Sequence, residues 1–134
     1  MILIACVDDS MGMAFHHRRQ SKDRLLRERI LRQVGDAPLW MSSYSARQFE
    51  EGAENIRADE SFLTKCGEQE YAFTELEAPE KVAPQAGKLI LYRWNRSYPA
   101  DLSFDLDLSG YTLSAVCEFA GSSHEKITEE IYIK

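Results

Sequence analysis

The chain has 134 residues, 44% of them hydrophobic and 10% aromatic, which is enough for one core, too short for two independent ones and unlike a disordered polypeptide. No stretch reaches the roughly 20 apolar residues that a membrane-spanning helix needs. A net charge of −6 argues against sequence-independent binding of nucleic acid over the whole surface, because backbone phosphates repel an acidic partner.

Taken in chain order, Ile2–Val7 is a continuous apolar run containing Ile and Val and predicts a strand buried on both faces. The same run makes a poor secretion signal, since no basic region precedes it and Asp8 and Asp9 follow at once; the expected address is the cytoplasm. Residues 8–19 hold no period, contain Gly12 and end in His16-His17-Arg18-Arg19, so a loop is expected there. Ser21 is the expected N-cap of a helix running to about Val34, with Gly35 at its stop. On that helix Leu26, Ile30 and Val34 share a face with Asp23, which should therefore look inward or into a cleft.

A short strand at 38–41 and a short helix at 42–51, capped by Ser42 or Ser43, come next, followed by two brief strands at 55–58 and 70–73. Between Pro79 and Pro84 at most one helical turn fits. Residues 88–94 give a clear strand, 98–107 an extended excursion, and 111–119 with 127–133 a closing antiparallel pair. Alternation of this kind predicts one α/β domain over 1–134 with a mixed sheet.

Charge and cysteine are unevenly placed. Between Phe15 and Gln33 seven basic residues face two acids, leaving this stretch at +5 and the rest of the chain at −11. Cys6, Cys66 and Cys117 are odd in number and far apart, which points to free core thiols and neither a disulfide framework nor a metal knuckle.

In its layout the chain resembles the dihydrofolate reductases. The resemblance rests on the first strand running into Gly12-Met13, on an acid at the start of the first helix, on Ala86-Gly87-Lys88-Leu89-Ile90-Leu91-Tyr92 as the late strand, and on Tyr98-Pro99-Ala100-Asp101, Leu113, Glu118-Phe119 and Ile131-Tyr132 toward the end. It implies an α/β fold in which a mixed sheet is flanked by helices and closed by a C-terminal antiparallel hairpin. It implies further that Asp23 stands where the family's carboxylate binds the pteridine ring and helps protonate it, and that Gly12-Met13 lie in the flexible loop over the nicotinamide.

Elsewhere the chain departs from that pattern. The family's proline-tryptophan pair in the loop is absent. Where the family shows Met-Gly-Arg-x-Thr, this chain has Met41-Ser42-Ser43-Tyr44-Ser45, keeping the methionine and one hydroxyl, Ser45. Adjacent glycines that admit the cofactor are replaced by Thr74-Glu75-Leu76-Glu77, whose side chains fill space and whose carboxylates repel pyrophosphate. The threonine that supports the catalytic acid is replaced near Tyr92. These departures together argue against tight NADPH binding, and no other cofactor is indicated.

Asp23 reads either as a ligand-facing catalytic acid or as a structural one, a helix-start acid favoured by the macrodipole or an ion pair with Arg27. The run His16, His17, Arg18, Arg19 and Lys22 either grips a phosphate beside a helix N-terminus or is a solvated loop. No metal site is expected, because adjacent histidines diverge and no further Cys or His follows at ligand spacing; His124 reads as a polar turn. Trp40 and Trp94 sit in apolar strands and are expected in the core.

The leading expectation is a domain of this fold that does not reduce dihydrofolate and binds a small anionic ligand or a protein partner, with Asp23, His16, His17, Arg18, Arg19, Lys22 and Ser45 as site residues. One alternative is a divergent NADPH-dependent reductase using Asp23 as acid and the Gly12 loop as lid. Another is an accessory protein that sets the basic helix against nucleic acid.

Overall fold

The computed structural model describes residues 1–49, 53–81 and 83–134. In chain order its strands and helices are β1 (Ile2–Val7), β2 (Gly12–Phe15), β3 (Arg18–Arg19), α1 (Arg24–Val34), β4 (Leu39–Met41), α2 (Ser43–Ala46), β5 (Ile56–Ala58), α3 (Phe62–Lys65), β6 (Tyr71–Phe73), β7 (Lys88–Arg93), β8 (Leu102–Ser103), β9 (Thr112–Phe119) and β10 (Ile127–Ile133). Short 3-10 turns at Pro79–Lys81 and Ala83–Gln85 occupy the proline-bounded stretch before β7, two turns where the sequence predicts at most one.

Two sheets result. The larger runs β5-β4-β6-β1-β7-β10-β9, with β1 parallel to both β6 and β7 and with β10 antiparallel to both β7 and β9. β1 is central, as its unbroken apolar run predicts, and Leu3, Ile4, Ala5 and Val7 are fully covered. On one face Ile4, Ile90, Tyr92 and Ile127 meet Leu26, Ile30 and Val34 of α1. On the other, Leu3, Ala5, Leu89 and Leu91 pack with Phe62 and Phe104. Each buried Leu, Ile, Val or Phe side chain contributes roughly 1.5–3 kcal/mol, so the helix is held by its three-residue stripe more than by its propensity.

Several local expectations need correction. Residues 8–19 are not one loop: β2 and β3 form a hairpin, and β8 adds a third strand to that smaller sheet. Its turn is His16-His17, both in the left-handed region at φ 51° and 61°. A two-residue hairpin turn calls for that conformation, usually from Asn or Gly, and histidine is among the residues that tolerate it. The expected Gly12 lid is thereby a paired strand. Ser21 does not cap α1; Asp23 does, two residues later, its side chain accepting from Leu26 N.

At the other end of α1, Gly35 stops the helix with φ 62° and an N–H to Leu31 O. The helix expected over 42–51 is a single turn capped by Ser42, and its residues 50–51 lie outside the described residues. Trp94 is buried as expected, whereas Trp40 is half-buried with its indole N–H on Glu70. Cys6 and Cys66 are partly covered, but Cys117 is exposed, because β9 is the outer strand of the large sheet and is open to solvent along most of its length. Among the described residues no helix is long and apolar enough to cross a membrane.

Candidate functional site

The N-terminus of α1 meets the turn joining β9 to β10 at Asp23. Its Oδ1 accepts from the N–H groups of Leu26 at 3.1 Å and Ser122 at 3.0 Å, and its Oδ2 from Ser123 N–H at 2.8 Å and His124 Nδ1 at 3.0 Å. Gly121 makes this docking possible, since its N–H closes the turn onto His124 O and it has no Cβ to strike the carboxylate. Burial alone pushes the Asp23 carboxyl up, but the bonds from His124, Ser122, Ser123 and Leu26 outweigh it and hold the group well below the usual aspartate range. An acid held ionised in this way has no proton to give at neutral pH.

Asp23 therefore opens into no cleft, being 2% exposed. Nor does it pair with Arg27, whose buried Nε has no hydrogen-bond partner among the described residues. His124 is its partner, and that residue is no mere polar turn: its ring stacks on Trp94 at 4.5 Å, and its Nε2 lies 3.0 Å from Ser21 Oγ and 3.3 Å from the Tyr98 hydroxyl. The signal for this link was absent from local sequence, because 101 residues separate Asp23 from His124.

A second cluster forms where β3 faces α2 and the end of β6. Glu75 is buried and its carboxylate takes Arg19 through Nε at 3.0 Å and Nη2 at 3.2 Å, Ser45 Oγ at 2.8 Å and Gln48 Nε2 at 2.9 Å. Tyr44 completes the grip on Arg19, its ring 4.3 Å under the guanidinium and its hydroxyl accepting from Arg19 N–H. Two of the residues expected to hold a ligand, Arg19 and Ser45, are thus brought together, and around the protein's own carboxylate. Thr74 and Glu77 close on one another beside it, through Thr74 Oγ1 to Glu77 O and Oε1.

Arg18, Arg19, Lys22, Tyr44, Arg47 and Gln48 line an open cleft of about 410 Å³ over this cluster. Arg18, Lys22 and Arg47 have no ion-pair partner among the described residues, so the cleft keeps three positive charges beyond the one Glu75 offsets. The histidines of the turn stand apart from it. His16 stacks on Phe15, and His17 borders a separate recess with Ala14, Leu76, Asp101 and Leu102. Among the described residues no cluster of three or more His, Cys, Asp or Glu side chains suits a metal ion.

Much of the basic charge on α1 is already used within the fold. Arg24 pairs with Glu28, and Arg29 binds Glu129 through two bonds at 2.9 and 3.2 Å while lying over the Phe119 ring. Glu129 also accepts from the Tyr92 hydroxyl at 2.8 Å, at the strand position where the threonine of the resembled pattern is missing. Burial and the Glu129 charge push that phenol well above its usual range, so it stays a neutral donor.

No protein-family model matches the sequence, and no curated protein does. Among solved structures, dihydrofolate reductase from Enterococcus faecalis, complexed with NADP(H) and RAB-propyl, is similar with a TM-score of 0.70 over 98% of this chain and 94% of that one, at 8% identity. The fold is thus that of dihydrofolate reductase. At that identity the likeness speaks for architecture alone.

Proposed function

We propose that this chain is a dihydrofolate-reductase-fold domain that does not carry out dinucleotide-dependent reduction and that binds a small anionic ligand in the cleft of Arg18, Lys22 and Arg47. The carrying observation is the charge imbalance of that cleft among the described residues: four cations line it, and one buried carboxylate, Glu75, forms an ion pair with Arg19 alone. Unpaired guanidinium groups are fixed-fork donors suited to phosphate or carboxylate oxygens, so the surplus fits a compact anion.

The case against reduction rests on two fillings. Where the resembled enzymes have glycines beside the cofactor phosphates, Glu75 places a carboxylate on the donors, Arg19 and Ser45, that a phosphate would use. NADPH and these residues do not fit one another without expelling a charge that four donors hold. Where those enzymes use an acid against the pteridine, Asp23 has both oxygens committed to this chain's own groups. No step of a hydride transfer is therefore assigned to either residue.

Calorimetric titration with inorganic pyrophosphate at low salt tests the proposal. One-to-one binding is expected, weakened about tenfold by either Arg18→Ala or Arg47→Ala, the worth of one charge-assisted hydrogen bond. Absence of binding at low salt, or steady oxidation of NADPH in the presence of dihydrofolate, would overturn it.

A further inference from the structure

Ser21, His124 and Asp23 stand in one line of hydrogen bonds: Ser21 Oγ to His124 Nε2 at 3.0 Å, and His124 Nδ1 to Asp23 Oδ2 at 3.0 Å. The direction of these bonds follows from charge. Asp23 is held ionised by three backbone N–H groups as well as by the histidine, so it can only accept, and Nδ1 must carry a proton. In the neutral imidazole that leaves the Nε2 lone pair facing the Ser21 hydroxyl, which then donates to it. A serine hydroxyl, a histidine in that tautomer and a buried carboxylate that orients the ring are the arrangement by which an alcohol is made nucleophilic.

Burial supports the arrangement on the inner side and access on the outer. His124 is 5% exposed and fixed between Asp23 and the Trp94 ring, so its orientation is set before any substrate arrives. Ser21 is only partly covered and precedes the cap of α1, outside any helix or strand. Among the described residues the N–H groups of Ser21 and Lys22 donate to no backbone or side-chain acceptor, leaving donors at the nucleophile and the residue after it, where serine hydrolases draw an oxyanion contact. Tyr98, the other hydroxyl on Nε2, is farther at 3.3 Å.

We infer that Ser21 is the nucleophile of an acyl-transfer site, with His124 as its base and Asp23 as the group that positions His124, acting on activated carboxylic esters. Ser21 Oγ attacks the ester carbonyl carbon as its proton passes to His124 Nε2. The C–O bond to the leaving alcohol then breaks, that alcohol takes the proton from His124, and an acyl group remains on Ser21 Oγ. Water, deprotonated by the same Nε2, attacks the acyl carbon, and the carboxylic acid departs as the proton returns to Ser21. The side chains of Arg18, Lys22 and Arg47, which line the anion cleft, take no part in these steps, and only the backbone N–H of Lys22 is drawn on, so the inference stands apart from anion binding.

The test is labelling of the folded full chain by a fluorophosphonate, read by intact mass and peptide mapping. One adduct per chain is expected, mapped to Ser21, lost in Ser21→Ala, unchanged in Ser10→Ala, and slowed at least about 100-fold in His124→Gln, as removal of a general base predicts. Because a change at buried His124 can unfold the turn, Ser21→Cys supplies a second arm: its thiol should react with iodoacetamide faster than the exposed Cys117 of the same molecule. Hydrolysis of 4-nitrophenyl acetate should fall in parallel in Ser21→Ala. No adduct on the folded wild type, an adduct spread over other serines, or a cysteine at position 21 slower than Cys117 overturns the inference.

Discussion

Glu129 holds three polar contacts at a buried point of β10, two from Arg29 and one from the Tyr92 hydroxyl. Replacing it with alanine leaves a guanidinium and a buried phenol without their acceptor, and the cost lies in those stranded groups more than in the lost attraction. Glu129→Ala should therefore destabilise the fold by about 3 kcal/mol, read from the denaturant midpoint, while Glu129→Gln, which keeps an acceptor for Tyr92, should cost less. An equal loss in both variants would mean that packing and not polar satisfaction decides the site. Residues of this kind were not legible in the chain. Asp23 was legible only in part: the helix period turned it inward, whereas the cap was expected two residues earlier, at Ser21. Glu75 and His124 were not, since their partners Arg19 and Asp23 lie 56 and 101 residues away and only the closed sheet brings them together. The same distance explains why Arg27 looked like the partner of Asp23: it stands four residues on, but the turn after β9 offers three N–H or ring donors at once.

At the scale of elements, strands with unbroken apolar runs and the helix with a clear stripe could be read directly. The β2–β3 hairpin could not, because its turn uses His16-His17 where glycine or asparagine would have announced it. Docking of the β9–β10 turn on α1 was equally hidden, although one glycine carries it. A Cβ on Gly121 would stand 2.9 Å from both Asp23 Cγ and Ile127 Cδ1, and closer still to Asp23 Oδ2. Neither neighbour has room to move: the carboxylate is fixed by four bonds and Ile127 is fully buried. Gly121→Ala should thus cost about 1–3 kcal/mol, the range for overpacking a filled site, and should speed amide exchange at Ser122 and Ser123. Retained protection at those two amides would show that the turn docks without the close approach.

For the whole molecule, the mixed sheet and its closing antiparallel pair make the expected fold, and the departures are local, at the β2–β3 hairpin, the cap of α1 and the single turn of α2. Two buried, hydrogen-bonded carboxylates set how the protein meets acid. Asp23 is held below its ordinary range as described, and Asp8 likewise, where burial is outweighed by the N–H groups of Gly12, Tyr98 and Ser10 and by the Gln20 amide. A carboxyl lowered in the folded state binds fewer protons there than in the unfolded chain, so its contribution is complete above the unfolded aspartate value of about 3.9 and is lost as pH falls toward the folded one. The melting temperature should accordingly be level near neutrality and decline below about pH 4. Asp59, Glu60, Glu70 and Asp107 are lowered too, by Lys65 and by the N–H groups of Ser43, Gly67 and Ser109, but all four are solvated and act in any variant alike. Comparison of wild type with Asp23→Asn isolates the buried group: the variant should melt lower at neutral pH and lose less on acidification, so that the two curves converge toward low pH. Parallel curves would place the acid sensitivity in the surface carboxylates and remove Asp23 as the group that couples the first helix to the last hairpin.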